Sequence, residues 1–196
     1  LTRYREFVES APEELNVWVF IRKAPPLPFL PEHVHGKEVI VLPVFYTGDI
    51  AVGEKLIEPL RSFGDAYGEH IGVQPYVEWQ QAFDPLLTKG ARNYWKSHNF
   101  TELSDGALDV IVEFAGKLPS PQCEIFIGCI AGAPNRVSTD ATAYFHRDAK
   151  FVLNVHGRWD EVAHDQICIA WAREFFQASA PYASAGAYVN FMTQEE

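Results

Sequence analysis

FVLNVHGRW, residues 151–159, alternates apolar and polar side chains along its length. Extended backbone sends successive side chains to opposite faces, so Phe151, Leu153, Val155 and Trp159 share one face while Asn154, His156 and Arg158 share the other. One face is core and the other polar, the pattern of a strand in an antiparallel sheet. A helix follows from about Glu161 to Ala178, where Ile167, Trp171 and Phe175 recur every four residues. Upstream lie a short strand around Ala141–Phe145, a strand over Gln122–Ile130, and a helix capped by Ser104 with Leu108, Ile111, Val112 and Ala115 at helical spacing. Earlier still, Arg92–Asn99 reads as a strand and Pro75–Phe83 as a short helix with proline in its first turn. Asp49 caps a helix over Val52–Phe63, and NVWVFIRK (16–23) and EVIVLPVFYT (38–47) are strands, the latter with Pro43 at an edge or bulge. AYVNFM (187–192) reads as a closing strand. Paired strands with helices between the pairs predict an α+β domain, a mostly antiparallel sheet covered by helices on one face.

Composition bounds the function. The 196 residues are 47% apolar, enough for one core. Sixteen Lys and Arg against 26 Asp and Glu give a net charge of −10, which repels nucleic acid. No apolar run approaches the roughly 18–20 residues that span a bilayer, so no membrane partner is expected. Cys123, Cys129 and Cys168 are an odd number without a CxxC pair, which argues against a disulfide framework or zinc knuckle and fits buried thiols in a reducing, cytoplasmic setting. LTRYREFVESAPEEL at the start has no signal-peptide pattern and reads as an amphipathic helix of a longer protein.

Nucleotide and catalytic motifs are absent: GCIAG (128–132) is not GxGxxG, there is no P-loop or GxSxG elbow, and His33, His35 and His70 lack metal-site spacing. The GCIAG glycines instead mark a strand end where something approaches the backbone closely. The chemistry-bearing signal is on strand faces. Asn154, His156 and Arg158 share one; Arg92, Tyr94, Lys96 and His98 share a second; Tyr188 and Asn190 share a third. If these faces coincide they form a polar floor for a hydroxylated or anionic small molecule; the alternative is a solvated sheet face.

Three stretches, PYVEWQQAFDPLLTKGARNYWKSHNFTELSD (75–105), DATAYFHRDAKFVLNVHGRW (140–159) and AWAREFF (170–176) with APYASAGAYVNFMTQEE (180–196), resemble in order the substrate domain and part of the C-terminal region of berberine bridge enzyme-like FAD-linked oxidases, in the vanillyl-alcohol oxidase superfamily. The resemblance implies an antiparallel sheet of about seven strands with helices on one side. It also implies a single substrate-binding domain over residues 1–196, with a separate FAD-binding domain before Leu1 and a short closing segment after Glu196. Tyr188, in the family's YxN motif, becomes a candidate general base, and Asn154 and Lys96 become pocket residues. His156, Arg158 and Asn190 complete the substrate-binding set, and His146-Arg147 is structural. A tyrosine base needs cations such as Lys96 or Arg158 beside it to stabilise phenolate. The activity implied is oxidation of a small-molecule alcohol or amine by hydride transfer to FAD, with this stretch alone inactive and flavin-free. A non-redox binding module is the alternative for the same sheet.

Overall fold

The computed structural model describes residues 1–184 and 186–192; Ala185 and residues 193–196, which belong to the quoted C-terminal stretch, lie outside them. The strands are β1 (Leu15–Lys23), β2 (Glu38–Val41), β3 (Val44–Tyr46), β4 (Arg92–Phe100), β5 (Glu124–Cys129) and β6 (Phe151–Trp159). The helices are α1 (Thr2–Ser10), α2 (Ile50–Ile57), α3 (Tyr76–Gln81), α4 (Asp105–Ala115) and α5 (Asp165–Ser179). All strand pairs are antiparallel, in the order β2-β1-β5-β6-β4, with β3 also on β1. The sheet therefore has six strands, close to the expected seven, in an α+β fold.

Pro43 divides the expected 38–47 strand. It has no N–H for a ladder, so β2 and β3 pair separately with β1 while the Trp18 N–H donates to the Pro43 carbonyl at 3.0 Å. Asp49 caps α2 by accepting from the Val52 N–H, and Pro59 turns the end of that expected helix into a 3-10 segment, Glu58–Ser62.

One face of the sheet carries Val17, Val19, Ile125, Ile127, Leu153 and Val155, all essentially inaccessible. Against them α4 places Leu108, Ile111 and Phe114, and α5 places Cys168, Trp171, Ala172 and Phe175. Leu108, Ile111, Trp171 and Phe175 are buried as expected, whereas Val112 and Ile167 are exposed at 60% and 56%; on α5 the inward row begins at Cys168 instead. Tyr4 of α1 and Ile57 of α2 join the same core. Among the described helices the short α3 sits on the opposite side, where its Trp79 packs edge-on against Phe83 and Phe83 in turn meets Phe20. No helix among the described residues is long and apolar enough to cross a membrane.

The start of α5 is pinned to the sheet. Asp165 accepts from Arg92 Nη2 at 2.7 Å and from Trp159 Nε1 at 2.7 Å. These bonds, Arg92 first, hold its carboxyl below the usual carboxylate range. A depressed carboxyl stabilises the fold above its unfolded pKa, about 3.9, and loses that contribution as pH falls through the lower folded value. Asp165→Asn is therefore expected to lower the melting temperature at neutral pH, with the difference from wild type closing in strong acid. Thermal melts across pH check this.

Two expected strands are turns. Around Ala141–Phe145 the chain coils back, with Ala141 N–H donating to Ser138 O and Tyr144 N–H to Thr142 Oγ1. Residues 189–191 form a 3-10 turn in place of the strand AYVNFM, with Phe191 N–H donating to Tyr188 O.

Candidate functional site

Strand register organises the face turned away from the main helices. Direct antiparallel partners present side chains on the same side. Across β1, β5, β6 and β4 the rows are Arg22–Glu124–His156–Trp95, then Phe20–Phe126–Asn154–Ser97, then Trp18–Gly128–Val152–Asn99.

The first row is ionic and structural. Glu124 lies between Arg22 Nη1 at 2.9 Å and His156 Nδ1 at 3.2 Å, with the Arg22 and Glu124 side chains only 14% and 8% exposed. His156 Nε2 meets Asn93 Oδ1 at 3.1 Å, and the Asn93 amide nitrogen donates to Ala91 O. Beyond this row, buried Arg158 donates to Gln122 Oε1 at 2.9 Å, Thr88 O at 2.5 Å and Asn93 Oδ1 at 3.4 Å. His156 and Arg158 therefore do share the polar face with Asn154, and they knit the sheet to the loop before β4.

The next two rows differ in kind. On β1 and β5, Trp18, Phe20 and Phe126 form an aromatic wall, with Phe126 5.5 Å from Trp18 and 4.9 Å from Phe20 between ring centroids. Gly128 makes room for it, since a Cβ there would meet the Phe126 ring at 2.8 Å and Val152 at 3.1 Å. This is the close approach expected at GCIAG. On β6 and β4 the wall gives way to Asn154, Ser97 and Asn99, all buried. Ser97 Oγ and both amide atoms of Asn99 have no hydrogen-bond partner among the described residues. A buried polar group left unpaired costs on the order of 1–3 kcal/mol, so these atoms mark where a water or ligand completes the structure.

Lys96 lies on the other face. Its register partner is Val155, not Asn154, and its ammonium sits 5.8 Å and 5.6 Å from the ring centroids of Tyr94 and Phe176. His98 beside it stacks on Phe176 at 4.0 Å, with its Nε2 2.9 Å from the Phe176 carbonyl. The faces expected to form one floor thus fall on two sides of the sheet: Arg92, Tyr94, Lys96 and His98 point toward α5.

Tyr188 and Asn190 come together at one end of the sheet. Asn190 Nδ2 donates to Tyr188 Oη at 2.6 Å, and the Tyr188 ring packs edge-on against Tyr144 and Phe191 at 5.8 Å and 5.4 Å. Ser184 bridges to Asn99, fixing this segment at the Asn99–Val152 end. Gly186, at φ +87°, lies where a Cβ would strike the His146 ring at 2.1 Å. Arg147 donates to Pro134 O and Thr142 Oγ1, so the His146-Arg147 pair shapes a loop, as expected. Arg158 is six residues along β6 from Val152, about 20 Å at 3.3 Å per residue. It is spent at the far end and is not the cation beside Tyr188. A groove of about 540 Å³ runs along the β4 edge, lined by Ser97, His98, Phe176, Ser184, Ala187 and Met192.

Among curated proteins the chain is 25% identical over 140 residues to the uncharacterised FAD-linked oxidoreductase YgaK of Bacillus subtilis, covering 70% of this chain and 31% of that protein. It is 25% identical over 144 residues to an FAD-linked oxidoreductase of Dictyostelium discoideum, covering 65% and 32%. No family model matches. In solved structures it superposes on BBE-like 28 of Arabidopsis thaliana with TM-score 0.76 at 16% identity, covering 98% of this chain and 42% of that one. Berberine bridge enzyme of Eschscholzia californica gives TM-score 0.73 at 13% identity, covering 98% and 40%. The chain has the berberine bridge enzyme-like fold. Its sequence relatives are FAD-linked oxidoreductases, as the resemblance implied, and it spans about a third of the length of the curated relatives it matches.

Those names imply FAD, and the residues present fit one part of such a molecule. Unpaired Ser97 and Asn99 beside an aromatic wall suit the polar edge of a flat ring or a substrate hydroxyl. Three groups that could meet a diphosphate are already engaged: Arg22 with Glu124, Arg158 with Gln122, and the Gly132 N–H with Asn135 Oδ1.

Proposed function

We propose that this chain is the substrate-binding domain of an FAD-dependent oxidoreductase which, as the complete protein, oxidises a small-molecule alcohol or amine. The observation that carries this reading is the juxtaposition of Trp18, Phe20 and Phe126 with buried, unpaired Ser97 and Asn99 on the sheet face opposite the helices. The relatives' names support the redox chemistry. A berberine bridge enzyme variant of this fold, 15% identical with TM-score 0.75, is in complex with (S)-reticuline, which supports a small-molecule substrate.

Bound FAD would supply the hydride acceptor. This chain's own residues do the rest. The aromatic wall holds the apolar part of the substrate and excludes water, and Asn154 with Ser97 orients its hydroxyl or amine. Tyr188 Oη, which already accepts a bond from Asn190, takes the proton the substrate releases. The diphosphate would be held by a flavin-binding domain of the same polypeptide. Anaerobic mixing of the FAD-loaded complete protein with a panel of small alcohols and amines tests the reading. Bleaching of the oxidised flavin band by members of the panel is expected, and a spectrum unchanged by all of them counts against it.

A further inference from the structure

Two of the three cysteines meet in the core, on the helix side of the sheet. Cys123 ends the connection from α4 into β5, and Cys168 lies in the second turn of α5. Both are inaccessible, and their Sγ atoms are 3.9 Å apart. A disulfide needs about 2.05 Å between sulfurs, so each must move roughly 1 Å. The anchors on both sides are firm. Ser120 Oγ accepts from the Cys123 N–H at 3.2 Å and donates to Arg158 O, while Trp171 and Phe175 seat α5 in the core. Cys129 lies at the other end of β5.

We infer that Cys123 and Cys168 are an oxidation site, a dithiol that a hydroperoxide converts to a disulfide stapling α5 to the base of β5. The balance is simple. One thiol attacks the peroxide, becoming a sulfenic acid with release of one water; the second thiol displaces a second water from that sulfur and forms the S–S bond. Two thiols lose two hydrogens and two electrons, and one hydrogen peroxide becomes two waters. Burial, with the neighbouring Cys123 adding to it, pushes the Cys168 thiol up to about 12. Thiolate is therefore scarce at neutral pH and the conversion is slow, which leaves the reduced pair as the resting state.

The link would join residues 45 positions apart, a loop long enough to constrain the unfolded chain substantially. The test is to treat the complete, folded protein with hydrogen peroxide, alkylate free thiols, digest without reductant and identify linked peptides by mass spectrometry. A Cys123–Cys168 peptide pair lighter by two hydrogens is expected, lost in Cys168→Ala, with Cys129 still alkylatable. The oxidised protein should melt higher by roughly 5–10 °C, reversibly on reduction. Peroxide treatment that leaves both thiols alkylatable, or oxidises them without linking them, overturns the inference. So does a link that forms only after denaturation.

Discussion

Tyr188→Phe in the complete protein is expected to slow substrate-driven flavin reduction about a hundredfold or more, the usual contribution of a positioned acid–base group. The substitution removes only the hydroxyl that Asn190 Nδ2 addresses at 2.6 Å; the ring contacts with Tyr144 and Phe191 stay. Folding and flavin content should therefore be unchanged, which separates a chemical role from a structural one. Asn190 donates to the oxygen and so fixes its position. A cation was expected beside Tyr188. The structure puts Arg158 at the far end of β6 and Lys96 on the opposite face, over Tyr94 and Phe176, so the amide is the partner in place. Stopped-flow reduction of wild type and variant under anaerobic conditions gives the ratio. Equal rates would remove Tyr188 from the chemistry.

Glu124→Ala should be the most damaging single change on the polar face. Glu124 is the shared anion between Arg22 and His156, with an 8% exposed side chain. Deleting one member of a buried ionic group leaves its partners desolvated and uncompensated, typically a loss of about 3–5 kcal/mol. Arg22 already has a buried Nε without a partner among the described residues, so it has little alternative bonding to recruit. Denaturant unfolding should show a midpoint lowered by that free energy divided by the slope, with the slope itself unchanged. A loss below about 1 kcal/mol would instead place the trio with ordinary surface pairs. The site chemistry should be affected only through stability, because this row lies toward the loop before β4 and away from Tyr188.

The sequence made individual strands legible and left their pairing hidden. Phe151–Trp159 could be read in full because a strand with one apolar face announces its own parity. The side shared by Arg92, Tyr94, Lys96 and His98 is also real, yet nothing within β4 tells which face of the sheet it joins. Register decides, and pairing Lys96 with Val155 sends those polar groups under α5, where an aromatic ring and a helix-end carbonyl accommodate them. Trp18, Phe20 and Phe126 were hidden for the complementary reason. Aromatic residues in β-rich stretches read as core, whereas here the true core uses Val17, Val19, Ile125 and Ile127 from the same strands. The alternation Trp18, Phe20, Arg22 was the available signal. AYVNFM has strand composition, but a left-handed Gly186 against His146 and the local Asn190–Tyr188 bond curl it into a turn.

FAD retention tests most directly the proposed division of labour, in which this chain holds the substrate and another part of the polypeptide holds the dinucleotide. The complete protein and residues 1–196, each verified as folded by circular dichroism, would be dialysed against FAD and their bound flavin quantified. Stoichiometric flavin on the complete protein and none on residues 1–196 is predicted. Stoichiometric flavin on residues 1–196, or none on the complete protein, would contradict the account.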